Sequence, residues 1–319
     1  MKIVAVVLAL ALACGLAGAA AADDAGPPGW AYAVNPPGLK PAPDEGRILH
    51  VPGSAAGFTL TQIRDLFNVP DWYPDDHPAM PEPVAHGRKP DAFACGFCHL
   101  PNGLGRPENA SLAGLPAEYI ERQIADFRAG LRKSSVASLP PMLMVATAKG
   151  ATDADVKAAA AYFSALKLRP WIRVEEAARV PKTRVLGFML VPDGSGETEA
   201  IGDRIIEMPE DVARTELRDS RSGFVAYAPP GSLLRGAGLV ATGGGKTVPC
   251  GICHGADLQG IGPVPALAGR SPSYLFRQLY DIKHGTRAGT WAALMAPVVA
   301  NLDEADMVAL AAYAASRAP

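Results

Sequence analysis

The strongest constraint on this chain is that part of it occurs twice. Cys95-Gly96-Phe97-Cys98-His99 and Cys250-Gly251-Ile252-Cys253-His254 lie at a constant offset of 155 residues. Leu112-Ala113-Gly114 matches Leu267-Ala268-Gly269 at that offset, and Arg122-Gln123 matches Arg277-Gln278. The copies then drift by four residues and rejoin in parallel runs starting at Met144 and Met295, each reaching a tyrosine 18 residues later (Tyr162, Tyr313). Two homologous modules of about 75 residues each therefore make up roughly half the chain, and whatever one folds into the other must also fold into.

Each module reads as mainly helical. Pro116 and Ser271-Pro272 stand where a helix can start, since proline is tolerated in a first turn. Ile120, Ile124, Phe127 and Leu131 recur at helical spacing, as do Leu275, Leu279 and Ile282. A later helix opens behind Thr152-x-x-Asp155 in one copy and Asp303-x-x-Asp306 in the other, both of capping-box type. The faces behind those caps, through Val156, Tyr162 and Phe163 and through Met307, Leu310 and Tyr313, are rich in alanine. Such modules carry little apolar bulk, so a large flat apolar cofactor would complete the core.

The paired cysteines point to the same group. A zinc site shared by both pairs would need ligands far closer in sequence than these. A thioredoxin-type dithiol calls for a βαβ context and gives the following histidine no role. Covalent haem uses every position: Cys95 with Cys98, and Cys250 with Cys253, add to the porphyrin vinyl groups, while His99 and His254 reach the iron. With six histidines in 319 residues, finding one behind both pairs by chance is improbable on composition alone. Two haem c groups are expected.

Met144 and Met295 follow their histidines by 45 and 41 residues, in what reads as a loop before the last helix of each module. A thioether opposite imidazole saturates iron and suits electron transfer; methionine more commonly fills gaps in a core. Met142 is the alternative ligand in the first module, and His50, His77, His86 and His284 are unrepeated competitors. Arg122, Arg128 and Arg132 are matched by Arg277, Lys283 and Arg287, either as a solvated helix face or as partners of haem propionates. Gly243-Gly244-Gly245-Lys246-Thr247 lacks the spacing of a phosphate loop and reads as a tight turn ahead of Cys250.

With CGFCH and CGICH, the two LAG segments, RQIADFRAGLR with RQLYDIKHGTR, and the two methionine-plus-cap runs, the modules resemble class I cytochrome c domains in tandem. They are similar to the dihaem cytochrome c4 and c5-like group. The resemblance implies His99/Met144 and His254/Met295 iron ligation. It also implies a periplasmic electron carrier between a dehydrogenase or quinol oxidase and a terminal acceptor.

The expected architecture is mainly α: a signal peptide over 1–22, a proline-rich arm over 23–85, cytochrome c domains over 86–170 and 231–319, and a linker with a small β insertion over 171–230. The insertion reads as a strand over 185–191, a turn from Pro192, and Ile205-Ile206. The leader has one lysine, an apolar run and Ala20-Ala21-Ala22 before Asp23, the pattern of exported proteins; Cys14 would leave with it. No transmembrane anchor is expected after cleavage. A net charge of −2 gives no electrostatic signature of nucleic-acid binding. Redox proteins (a periplasmic dehydrogenase, a quinol oxidase or a terminal oxidase) are the expected partners, and electron transfer rather than catalysis the expected role. The rivals are a cytochrome c peroxidase-like dihaem enzyme and a cytochrome subunit dedicated to one dehydrogenase.

Overall fold

The computed structural model describes residues 26–319, so the leader and Cys14 lie outside the described residues. Along the chain the helices are α1 (Leu60–Ile63), α2 (Glu82–Ala85), α3 (Cys95–His99), α4 (Ala117–Arg128), α5 (Leu139–Gly150), α6 (Asp153–Ala165), α7 (Val212–Glu216), α8 (Ser232–Thr242), α9 (Gly251–His254), α10 (Pro272–Lys283), α11 (Ala292–Val299) and α12 (Glu304–Ala315). The strands all fall between α6 and α8: β1 (Ile172–Glu176), β2 (Arg179–Pro181), β3 (Thr183–Leu186), β4 (Met189–Pro192), β5 (Thr198–Ala200), β6 (Ile206–Pro209) and β7 (Phe224–Ala228). The protein is thus mainly helical with a small β insertion. Among the described residues no helix is long and apolar enough to cross a membrane.

The helix signals are met at both copies. Thr152 and Asp303 each accept from the backbone of the residue three positions on, and Asp155 and Asp306 reach back to the cap, completing capping boxes on α6 and α12. Helix α4 stops at Arg128, because Gly130 adopts a left-handed φ of 69°, the usual way to end a helix. Leu131, expected on the helical face, lies beyond that stop and is 43% exposed.

Two readings of local structure change. Met144 and Met295 lie on helices α5 and α11 rather than in loops. Pro140 and Pro141 sit in the first turn of α5, where a fixed φ favours helix entry, and the Met-Leu-Met run behind them propagates it. The segment read as one strand over 185–191 is a hairpin, with Val185 opposite Leu190 and Leu186 opposite Met189. Gly187 and Phe188, at φ 59° and 64°, form the two-residue turn whose positive dihedrals match strand twist.

Small residues let the second module close on itself. A Cβ on Gly236 of α8 would stand 2.2 Å from the carbonyl oxygen of Ala309 in α12, so only glycine permits this approach. Around that contact Leu239, Phe276, Met307 and Leu310 are buried in one core. In the first module α4 and α6 pack through Ile120, Ala160 and Phe163, with Val84 of α2 against them.

The insertion is seated on both modules. Its sheet runs β1-β7-β6, with β1 parallel and β6 antiparallel to β7. Leu104 of the first module shares a core with Trp171, Met189 and Phe224. On the other side, the buried Glu207 carboxylate of β6 accepts from Ser271 Oγ at 2.7 Å and from the Ser273 amide at 3.1 Å, at the start of α10. Trp171 Nε1 donates to Gly269 O at 3.0 Å. The arm has its own small core of Val51, Ile63, Trp72 and Tyr73, tied to the insertion by Trp72 Nε1 donating to Leu217 O at 2.8 Å.

Candidate functional site

The two cysteine motifs are short helices, α3 and α9, that end on their histidines. His99 Nδ1 lies 2.8 Å from Ala110 O, and His254 Nδ1 lies 2.8 Å from Pro265 O. Ala110 and Pro265 stand at the repeat offset, so the same second partner fixes both rings. With Nδ1 donating to a carbonyl, Nε2 keeps the lone pair and is the nitrogen that could ligate a metal. Burial pulls His99 down to about 4 and His254 in the same direction, so both imidazoles are neutral and their lone pairs are available.

Both histidines line one continuous cavity of about 620 Å³. Cys95, Cys98, Cys250, Cys253, Met144 and Met295 line it too, whereas Met142 is outside the lining and 62% exposed. The competing histidines also lie elsewhere. His77 is held by Asp71 at 3.2 Å, His86 by Asn68 at 3.0 Å, His50 by the Ala56 carbonyl and His284 by the Tyr280 carbonyl. Burial pushes the Cys95 thiol up to about 12 and raises Cys98 as well, the opposite of the lowered value a reactive dithiol needs.

In the cavity wall the modules meet through matched residues. Arg132 and Arg287 form an antiparallel backbone bridge, with the Lys133 amide donating to Thr286 O at 2.8 Å and the Ala288 amide to Leu131 O at 2.7 Å. Arg132 donates to Gln123 Oε1 at 2.9 Å, Tyr274 Oη at 2.7 Å and Gln278 Oε1 at 3.1 Å. Arg287 donates to Gln278 Oε1 at 3.0 Å, Tyr119 Oη at 3.0 Å and Gln123 Oε1 at 2.9 Å. These hydrogen-bond acceptors are amide and phenol oxygens. Two guanidiniums so held in a cavity wall suit carboxylates of a bound cofactor.

Roles for Tyr119, Tyr274, Gln278, Ala110 and Pro265 were not read from the sequence, although every one obeys the 155-residue offset. The offset was the available signal. The other matched bases divide differently. Arg128 and Lys283 tie α4 and α10 to carbonyls of Ala148 and Leu302, Arg122 stacks on Trp291, and Arg277 donates to the carbonyls of Ala31 and Pro107. Gly243, Gly244 and Gly245 all have positive φ and form the expected tight turn. Lys246 behind them pairs with Asp303 and Asp306, so the segment is structural.

Helical modules that bury a histidine behind a paired-cysteine motif, opposite an apolar slot, define a c-type cytochrome. A family model for cytochrome c matches residues 235–317. A cytochrome c-554(548) from Halomonas halodenitrificans is 40% identical over 82 residues, 25% of this chain and 99% of that protein. Cytochrome c4 from Pseudomonas aeruginosa is 41% identical over 86 residues, 27% of this chain and 41% of its own length. A second cytochrome c4, from Azotobacter vinelandii, is matched over 45% of its length, so the chain spans less than half of either c4 relative. A protein from Thiomonas intermedia named as a thiosulfate dehydrogenase electron acceptor is 28% identical over 232 residues, 72% of this chain and 80% of that protein. The chain belongs to the cytochrome c family, as a dihaem class I member with two covalently bound haem c groups.

Proposed function

We propose that this chain is an exported, periplasmic electron carrier in which histidine and methionine close both irons. Cys95 and Cys98 would hold the first haem as thioethers, with His99 and Met144 supplying nitrogen and sulfur to its iron, in a domain over 86–170. Cys250, Cys253, His254 and Met295 do the same in a domain over 231–319. The carrying observation is the doubled geometry: each imidazole is fixed through Nδ1 by a matched carbonyl, and a matched methionine lines the same cavity. Haem so ligated supplies a one-electron couple and no open site for bond-making.

The protein's own groups do the rest. Ala110 and Pro265 hold the imidazole orientation, Arg132 and Arg287 take the propionates, and the apolar lining excludes water from both sites. The shared cavity and the Arg132–Arg287 contact keep the two haems within one packed unit, which supports electron exchange between them. The leader over 1–22 supports export. The match over most of the chain to a dehydrogenase's electron acceptor supports a dehydrogenase as electron donor in this case also.

Carbon monoxide tests the reading. Reduced protein that leaves its visible spectrum unchanged under carbon monoxide has two closed sites and is a carrier. A carbon monoxide complex at either haem, with peroxide consumption, would replace the carrier with a peroxidase-like enzyme.

A further inference from the structure

The two sites come from one repeat but finish in different surroundings. Their equivalence is structural as well as sequential, since Arg106 bridges Asn109 in one copy as Ile261 bridges Val264 in the other. At the second site this face is open: Cys253 is exposed, Ile252 is 65% exposed and Ile261 is 55% exposed. At the first site the insertion closes over it. Asn102 Nδ2 donates to Ser220 O at 2.5 Å. Arg218 Nη1 donates to Phe97 O at 2.7 Å, and its guanidinium stands 3.6 Å from the centre of the Phe97 ring, inside the haem-binding motif.

Charge comes with the cover. Arg106 and Glu108 pair at 3.0 Å with both side chains buried, and Arg106 Nη2 also reaches Met189 Sδ of the insertion at 3.2 Å. Arg218, Arg106, Glu108 and Glu216 gather two positive and two negative charges at this cover, and Arg218 is the one that lies on the motif itself, over Phe97. The residues matching Arg106 and Glu108 in the second module are Ile261 and Pro263, and Asn102 is matched by an exposed acid, Asp257.

The backbone at Arg218 indicates what is retained there. Arg218 follows the C-cap of α7 with a φ of 57°, a position where glycine is favoured and other residues cost about 1–2 kcal/mol. The chain keeps an arginine despite that strain, and the side chain is the one that lies on Phe97. Burial and the neighbouring Arg106 pull Arg218 down to about 10, which leaves it charged at neutral pH.

We propose that Arg218, aided by Arg106, holds the first haem at a higher reduction potential than the second, so that one electron received at the exposed second site passes to the enclosed first. The assignment rests on the two-haem reading above. A fixed positive charge in a dry site favours the state holding one more electron, and low dielectric strengthens the effect. The transfer balances as one ferrous centre oxidised and one ferric centre reduced, with no proton required.

Spectroelectrochemical titration of the holoprotein tests this, after a haem count on each sample. Met295→His marks the wave of the second site. R218Q is expected to lower the unmarked wave by at least a tenfold change in its reduction equilibrium, 59 mV for one electron. R218K, which keeps the charge, is expected to leave that wave near its original position, and E108Q, which removes the opposing charge, to raise it. An unmarked wave that ignores both R218Q and E108Q, that falls equally in R218K and R218Q, or that falls in E108Q would overturn the assignment. E108Q leaves Arg218 in place and so serves even where R218Q fails to mature. A wild-type sample with fewer than two haems would instead overturn the reading on which the assignment rests.

Discussion

Arg132 and Arg287 send one guanidinium nitrogen each to the same acceptor, Gln123 Oε1, at 2.9 Å from both. Gln123, like its repeat partner Gln278, thus takes one arginine from each module in the cavity wall. Gln123→Ala removes that acceptor from two charged donors in the cavity wall, a loss of about 1.5–3 kcal/mol for hydrogen bonds to charged groups. The expected result is a lower urea midpoint at unchanged m. An unchanged midpoint would show that the arginines are satisfied without Gln123.

Met142 and Met144 are two residues apart, yet only Met144 lines the cavity. Met144→Ala is expected to remove half of the near-infrared methionine-to-iron band and to open one haem to carbon monoxide. Met142→Ala is expected to leave the band intact and stability within about 0.5 kcal/mol, as befits an exposed side chain. The reverse pattern would make Met142 the ligand.

Gly236→Ala places a methyl where the Ala309 carbonyl and Tyr313 already stand. Helix propensity favours alanine by up to about 1 kcal/mol, but overpacking at this distance costs about 1–3 kcal/mol. The net expectation is a lower thermal midpoint for the second module, read by loss of its haem-region circular dichroism. A raised midpoint would mean that α8 and α12 can separate freely.

Asp155 completes the capping box of α6 behind Thr152 and pairs with Arg88 at 2.9 Å. Hydrogen bonds from Arg88 and Thr152 hold its carboxyl below the usual carboxylate range, against the opposing effect of burial. A depressed carboxylate stabilises the fold above its unfolded value, near 3.9, and that stabilisation is lost as pH falls through the lower folded value. Asp155→Asn is expected to cost about 0.5–1 kcal/mol at pH 7, mostly through the cap because solvent screens the ion pair. The gap between variant and wild type should close as pH drops below about 4. A gap independent of pH would assign the effect to packing instead.

What could be read in advance follows from locality. The haem motifs and the capping boxes of α6 and α12 depend on residues within a few positions of each other, and the repeat on direct self-comparison, so the sequence displays them, whereas the stop at Gly130 is overridden by the helical spacing that carries on to Leu131. The helical setting of Met144 and Met295 is masked in the sequence by prolines beside them, which stand in the first turn of α5 and inside α11. The hairpin at Gly187-Phe188 was hidden because phenylalanine is an uncommon residue at positive φ. Arg218 was out of reach altogether. Its contact with Phe97 spans 121 residues, and the insertion that carries it has no counterpart in the repeat.

The central claim, two covalent haems at two matched sites facing one cavity, is tested most directly by counting haem per chain in alkaline pyridine. The wild type is expected to hold two. Cys95→Ser/Cys98→Ser and Cys250→Ser/Cys253→Ser are each expected to hold one, and the remaining haem in each is expected to keep its methionine-to-iron band. A wild type with one haem, or a double variant that still binds two covalently, would contradict the account.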